Sequence, residues 1–120
     1  MKNESIPLRK DVAESDKWDL STLFKSEADL EKALLQIERD ADAVVKFQGI
    51  LGGGADSLLA ALKAYEALWK NTELVDNYAS LIHTTDEGDE KATDMEGRAE
   101  MACAKAAALT SFFDSELSAI

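Results

Sequence analysis

Seven small or apolar residues recur at alternating spacings of three and four near the end of the chain, and this periodicity limits the possible fold more than any other feature. Spacings of three and four place side chains on one face of an α-helix. The pattern therefore predicts a long amphipathic helix whose alanine-rich face allows neighbouring helices to approach closely. The seven residues are Ala92, Met95, Ala99, Ala102, Ala106, Leu109 and Phe113.

An earlier helix is predicted from its start signal and its apolar stripe. Ser26 is followed three residues later by Asp29, which resembles a capping box with Asp in place of Glu. Glycine at position 49 favours a helix end near Phe47–Gly49. The predicted buried stripe consists of Leu30, Leu34, Ile37, Ala41 and Val44.

Another helix is predicted between these two, beginning with Asp56 as its cap. Asn71 and Thr72 can bond local backbone in place of the helix ladder. The sequence therefore leaves open whether this is one helix of about thirty residues or two collinear pieces. The expected core-facing residues are Leu58, Leu62, Tyr65, Trp69, Val75, Tyr78, Ala79 and Ile82.

The segment 49–54 contains four glycines around Ile50 and Leu51. No strand precedes it and no Lys-Ser/Thr pair follows, so we interpret it as a helix connector and not as a phosphate-binding loop. Ile50 and Leu51 are expected to tuck under the turn. A polar turn at 83–89 separates the middle helix from the alanine-rich helix that follows it, and Asp89 or a neighbour is expected to cap that last helix.

The two ends of the chain complete the predicted architecture. Residues 1–25 are expected to form an extended leader anchored on the helices by Trp18 and Phe24. Residues 114–120 resemble a cap and the first turn of a fourth helix, which is too short to bury its face alone. We predict an all-α antiparallel bundle at 26–120 with about three long helices and a truncated fourth. We expect the chain to be the N-terminal part of a larger protein.

Charge and composition limit the functional classes. The net charge is −11, and one proline among many Ala, Leu, Glu and Lys residues is a helix-forming composition. Residues 26–120 carry eight basic against nineteen acidic side chains. Such a field disfavours nucleic acid and anionic membranes as partners. The single Cys103 and the absence of an apolar signal-peptide core predict a cytoplasmic protein.

The chain offers few groups for catalysis. His83 is the only imidazole, so zinc would need Cys103 and carboxylates at unfavourable spacings. We interpret His83 as a surface or hydrogen-bonded residue and Cys103 as a small buried one. The acidic run at 86–90 does not match an EF-hand and is interpreted as a solvated turn. Glu96 and Glu100 are expected to face solvent. We therefore assign no catalytic, cofactor-binding or metal-binding residue to this chain.

Several short segments, taken in order, resemble the start of oligoendopeptidase F, a zinc metallopeptidase of the thimet-oligopeptidase-like superfamily. The resemblance covers nearly the whole chain. It rests on the joint order and approximate spacing of the segments, which are Arg9–Val12, Lys17–Phe24, Phe47–Gly49, Tyr78–Leu81 followed by Asp86, and Ala108–Phe113 with Glu116 and Leu117.

The resemblance implies a helical cap over a deep channel, with zinc held by a separate C-terminal catalytic domain. The family's His-Glu-x-x-His motif is absent here, so no site residue transfers to this chain and the chain alone is expected to be inactive. The parent enzyme would hydrolyse short peptides with a zinc-activated water, and this part would supply channel wall and size filter. Its partners would be the catalytic domain and short peptides. The alternative is a free-standing helical adaptor without catalysis.

Overall fold

Four α-helices and two short 3-10 turns make up the fold in a computed structural model that describes residues 6–120. The 3-10 turns are Arg9–Asp11 and Glu14–Asp16. The helices are α1 (Glu27–Val45), α2 (Ala55–Thr85), α3 (Glu90–Leu109) and α4 (Phe112–Ser118). The described residues contain no strand, so the all-α prediction is confirmed. The first five residues of the predicted leader lie outside the described residues.

The first three helices pack against one another as an antiparallel bundle. Contacts between α2 and α3 pair Thr72 with Cys103 and His83 with Glu96, so residue numbers rise on one helix as they fall on the other. Glu31 and Glu38 of α1, in contrast, pair with Arg98 and Lys105 of α3, so residue numbers rise together on these two helices. The helices α1 and α3 therefore run in the same direction on either side of α2.

The structure of α1 agrees closely with its sequence pattern. The hydroxyl of Ser26 accepts a hydrogen bond of 3.3 Å from the backbone N–H of Asp29, as the capping signal predicts. Gly49 has φ +85°, a left-handed conformation that glycine adopts without steric cost. Every residue of the predicted stripe is buried: Leu30, Leu34, Ile37, Ala41 and Val44.

The middle helix, α2, is continuous over 31 residues, which decides the question that the sequence left open. Asn71 does not break it, because its side-chain amide donates instead to the carbonyl of Ala33 on α1, at 3.0 Å. The predicted cap was wrong, since α2 begins after Gly54 and has no side-chain cap. The predicted face was also partly wrong: Leu62 and Trp69 are exposed. The buried residues are Ala61, Leu68, Val75, Tyr78 and Ala79.

Asp89 caps α3 by accepting a 2.9 Å hydrogen bond from the N–H of Lys91, as predicted. The stripe of α3 is only partly confirmed. Ala102 is partly buried and Leu109 is exposed, and both line a cavity of about 110 Å³ between α3 and α1. The buried stripe residues are Ala92, Met95, Ala99, Ala106 and, beyond the end of α3, Phe113.

The short α4 begins three residues earlier than the sequence indicated, with Ser111 and not Asp114 as the residue before its first turn, and closes one end of the bundle. Phe113 is 1% exposed and stacks on Tyr65 of α2 with ring centroids 4.2 Å apart. The carboxylate of Glu116 accepts a 2.5 Å hydrogen bond from the N–H of Gly49. In the glycine-rich connector Leu51 is buried, as expected, but Ile50 is 49% exposed.

Candidate functional site

His83 lies near the end of α2, where its Nδ1 pairs with the Glu96 carboxylate of α3. Both side chains are mostly shielded from solvent. The contact agrees with the interpretation of His83 as a hydrogen-bonded structural residue. It corrects the expectation that Glu96 faces solvent, since the carboxylate is turned towards α2 and joins the two helices. Glu100, one turn further on, is exposed as expected.

Cys103 is a partly buried thiol on α3 and not a prepared nucleophile. Its sulfur lies 3.7 Å from the carbonyl oxygen of Thr72, to which the thiol donates. Burial raises the pKa of Cys103, and the negative charge of Asp76 raises it further. The thiol therefore stays protonated at neutral pH, whereas nucleophilic cysteines have a lowered pKa.

The acidic turn after α2 uses its carboxylates on nearby backbone. Asp86 accepts a 3.2 Å hydrogen bond from the N–H of Gly88, while Asp89 caps α3. Across residues 6–120, no three or more His, Cys, Asp or Glu side chains come together as a possible metal site.

The two predicted aromatic anchors of the leader differ. Phe24 packs edge-to-face on Tyr78 of α2, with centroids 5.1 Å apart and planes at 83°, and is partly buried against the core. Trp18 is 83% exposed, so its predicted role as an anchor was wrong. It lines a cavity of about 540 Å³ between the leader and the end of α2.

A second open surface lies between α2 and α3, and we name it the α2/α3 groove. Its α2 side is formed by Tyr65, Trp69 and Thr72, and its α3 side by Cys103 and Ala107. Trp69 is 51% exposed there, although the sequence had placed it in the core. The sequence signal that was missed is a second set of residues at helical spacing. This set lies on the buried face of α2 and leaves Trp69 off that face; it consists of Ala61, Ala64, Leu68 and Val75.

Two further findings bear on function, one from the structure and one from comparison with known proteins. Among residues 6–120, no helix has the length and apolar content needed to cross a lipid bilayer. Comparison with protein-family models, with curated proteins and with solved structures finds no match for this chain.

Proposed function

We propose that this chain is the N-terminal helical domain of a zinc-dependent oligoendopeptidase, in which it forms part of the channel wall and limits the size of the peptides admitted. The catalytic residues and zinc belong, in this proposal, to a C-terminal domain outside the chain. Zinc bound there would activate a water molecule for attack on a peptide carbonyl. The side chains described here would contribute shape and contact surface only.

The observation that carries the proposal is that segments responsible for the resemblance contact one another across the fold. Phe24 of the leader segment packs on Tyr78 of a segment more than fifty residues later. Gly49 donates its N–H to Glu116, which belongs to the last segment. Two pairs of residues from segments that resemble the oligoendopeptidase F family are therefore in contact in the fold. Such contacts are a reason for these residue types to occur jointly.

The alternative function is a free-standing helical adaptor, and a specific observation favours it. The half-exposed Trp69 in the α2/α3 groove is the kind of residue that contributes strongly to protein interfaces. The adaptor and the peptidase domain differ in what the gene encodes after Ile120.

The reading frame downstream of Ile120 separates the two functions. The proposal expects several hundred further codons that include a His-Glu-x-x-His motif and a later Glu ligand. A stop codon directly after Ile120, or a continuation without that motif, would exclude the peptidase and leave the adaptor.

A further inference from the structure

We propose that the α2/α3 groove binds an amphipathic helix whose apolar stripe is flanked by Lys or Arg residues. The inference rests on the shape and charge of this groove and not on the proposed peptidase function. It therefore applies equally to a domain of a larger enzyme and to an adaptor.

The groove is long and has a floor of small side chains. Two adjoining cavities of about 340 and 310 Å³ share Trp69, Thr72 and Cys103, so together they form one continuous depression. On α2 the depression extends from Tyr65 to Asp76, which is about 16 Å at 1.5 Å per residue, or about three helical turns. Small residues at the floor allow another helix to approach closely.

Architecture favours a helix as the occupant. The groove lies between two antiparallel helices, and α1 packs against both of them. A helix bound in the α2/α3 groove would add a fourth member to the bundle, with its apolar stripe on the half-exposed ring of Trp69. An extended peptide would have no sheet edge to join, since residues 6–120 contain no strand.

The charge of the groove predicts a basic partner. Only carboxylates supply charge to its lining, namely Glu73, Asp76, Glu100 and Asp114. The cavity beside Trp18 instead has two basic and two acidic side chains, Arg9 and Lys17 with Asp16 and Asp19. The acidity is therefore a local property of the groove and not only a consequence of the net charge. Lys or Arg beside a partner's apolar stripe would meet these carboxylates.

The behaviour of Cys103 agrees with a negative potential inside the groove. Its thiol pKa is raised mainly by burial, and the next cause is the charge of Asp76. The charge of Asp76 therefore reaches the Cys103 thiol, on the floor where the partner's stripe would lie.

The test uses the 120-residue chain and an 18-residue peptide of Leu and Lys at helical spacing, labelled with fluorescein and followed by fluorescence anisotropy. One control peptide has Glu in place of Lys, and another has the Leu and Lys positions shuffled to remove the stripe. We expect saturable one-to-one binding of the first peptide only, weakening as salt is added.

Matched variants locate the binding surface. Trp69→Ala should weaken binding about tenfold or more, whereas Trp18→Ala should leave it unchanged. Glu73→Gln with Glu100→Gln should weaken it about threefold to tenfold. The control pair Glu87→Gln with Glu90→Gln removes the same charge outside the groove and should have little effect. Circular dichroism verifies that each variant is folded.

Four results would overturn the proposal. Equal binding of the shuffled Leu/Lys peptide would indicate attraction by net charge alone, as would equal losses in the two Glu pairs. Equal losses for the two Trp variants would place the site elsewhere. Self-association of the peptide-free chain that Trp69→Ala abolishes would assign the groove to a second copy of the chain.

Discussion

Replacement of Phe24 by Ala should destabilise the fold much more than replacement of Trp18 by Ala. Phe24 is mostly covered and packs edge-to-face on Tyr78. Most of the roughly 200 Å² of a Phe side chain, at about 25 cal/mol per Å², gives a loss of about 2–4 kcal/mol, including the lost aromatic pair. Trp18 is 83% exposed, so only about 40 Å² is covered and the loss is about 1 kcal/mol or less.

Urea denaturation followed by far-UV circular dichroism measures both values under identical conditions. The two variants should keep the slope of the wild-type transition, so that the midpoint alone reports stability. A difference of about 1–4 kcal/mol is expected, with Phe24→Ala the less stable. If the two variants fall within about 0.5 kcal/mol of each other, or if Trp18→Ala is the less stable, the leader does not pack as described.

Three further predictions concern single positions. Ala99→Leu should lower the free energy of unfolding by about 1–3 kcal/mol in urea denaturation, because Ala99 is fully buried. Ala102→Leu should lower it less, because Ala102 adjoins a cavity of about 110 Å³. The reverse order would contradict the placement of α3. The hydrogen bonds from the Arg98 guanidinium of α3 lower the pKa of Glu31. The small stabilising effect of this pair is therefore present at neutral pH and is lost as the pH falls through the folded-state pKa of Glu31. Glu31→Gln should therefore cost about 1 kcal/mol or less near pH 7 and nothing at low pH, and a penalty that persists in acid would refute the pairing. The rate at which iodoacetamide alkylates Cys103 should rise with pH, with a midpoint at higher pH than for a free thiol. Asp76→Asn should lower that midpoint. An unchanged midpoint in the variant would show that the carboxylate does not act on the thiol.

Local sequence patterns predicted those parts of the fold that depend on one helix face. In α1 all five stripe residues are buried, because this helix packs on both neighbours through a single face. The caps at Ser26 and Asp89 are local hydrogen bonds and were predicted for the same reason.

The central helix was harder to predict because some of its buried residues are small, whereas some of its large apolar residues are exposed. Its buried positions lie where neighbouring helices approach closest, and there small residues such as Ala61 and Ala79 fit. Larger side chains, including Leu62 and Trp69, remain outside the contact. Apolar spacing therefore wrongly placed Leu62 and Trp69 in the core, whereas Val75, Tyr78 and Ala79 were placed there correctly.

The candidate binding surface could not be predicted from the sequence. The α2/α3 groove depends on the register that brings Thr72 beside Cys103 and on the carboxylates that border both helices. No local pattern specifies this register. The exposure of Trp18 could not be predicted from the sequence either, because an indole in an irregular segment is covered only if another element packs over it.

Zinc content and peptidase activity, measured on residues 1–120 and on the product of the complete reading frame, test the proposed function most directly. The assay uses quenched fluorescent peptides of about ten residues and metal analysis after dialysis. The complete product should retain one zinc ion per chain and cleave the peptides, and chelation should abolish cleavage. Residues 1–120 alone should neither retain zinc nor cleave, because they contain no candidate ligand cluster in the described part of the chain. Zinc retained by residues 1–120 and lost on replacing His83 or Cys103, or a complete product without zinc and activity, would contradict the proposal.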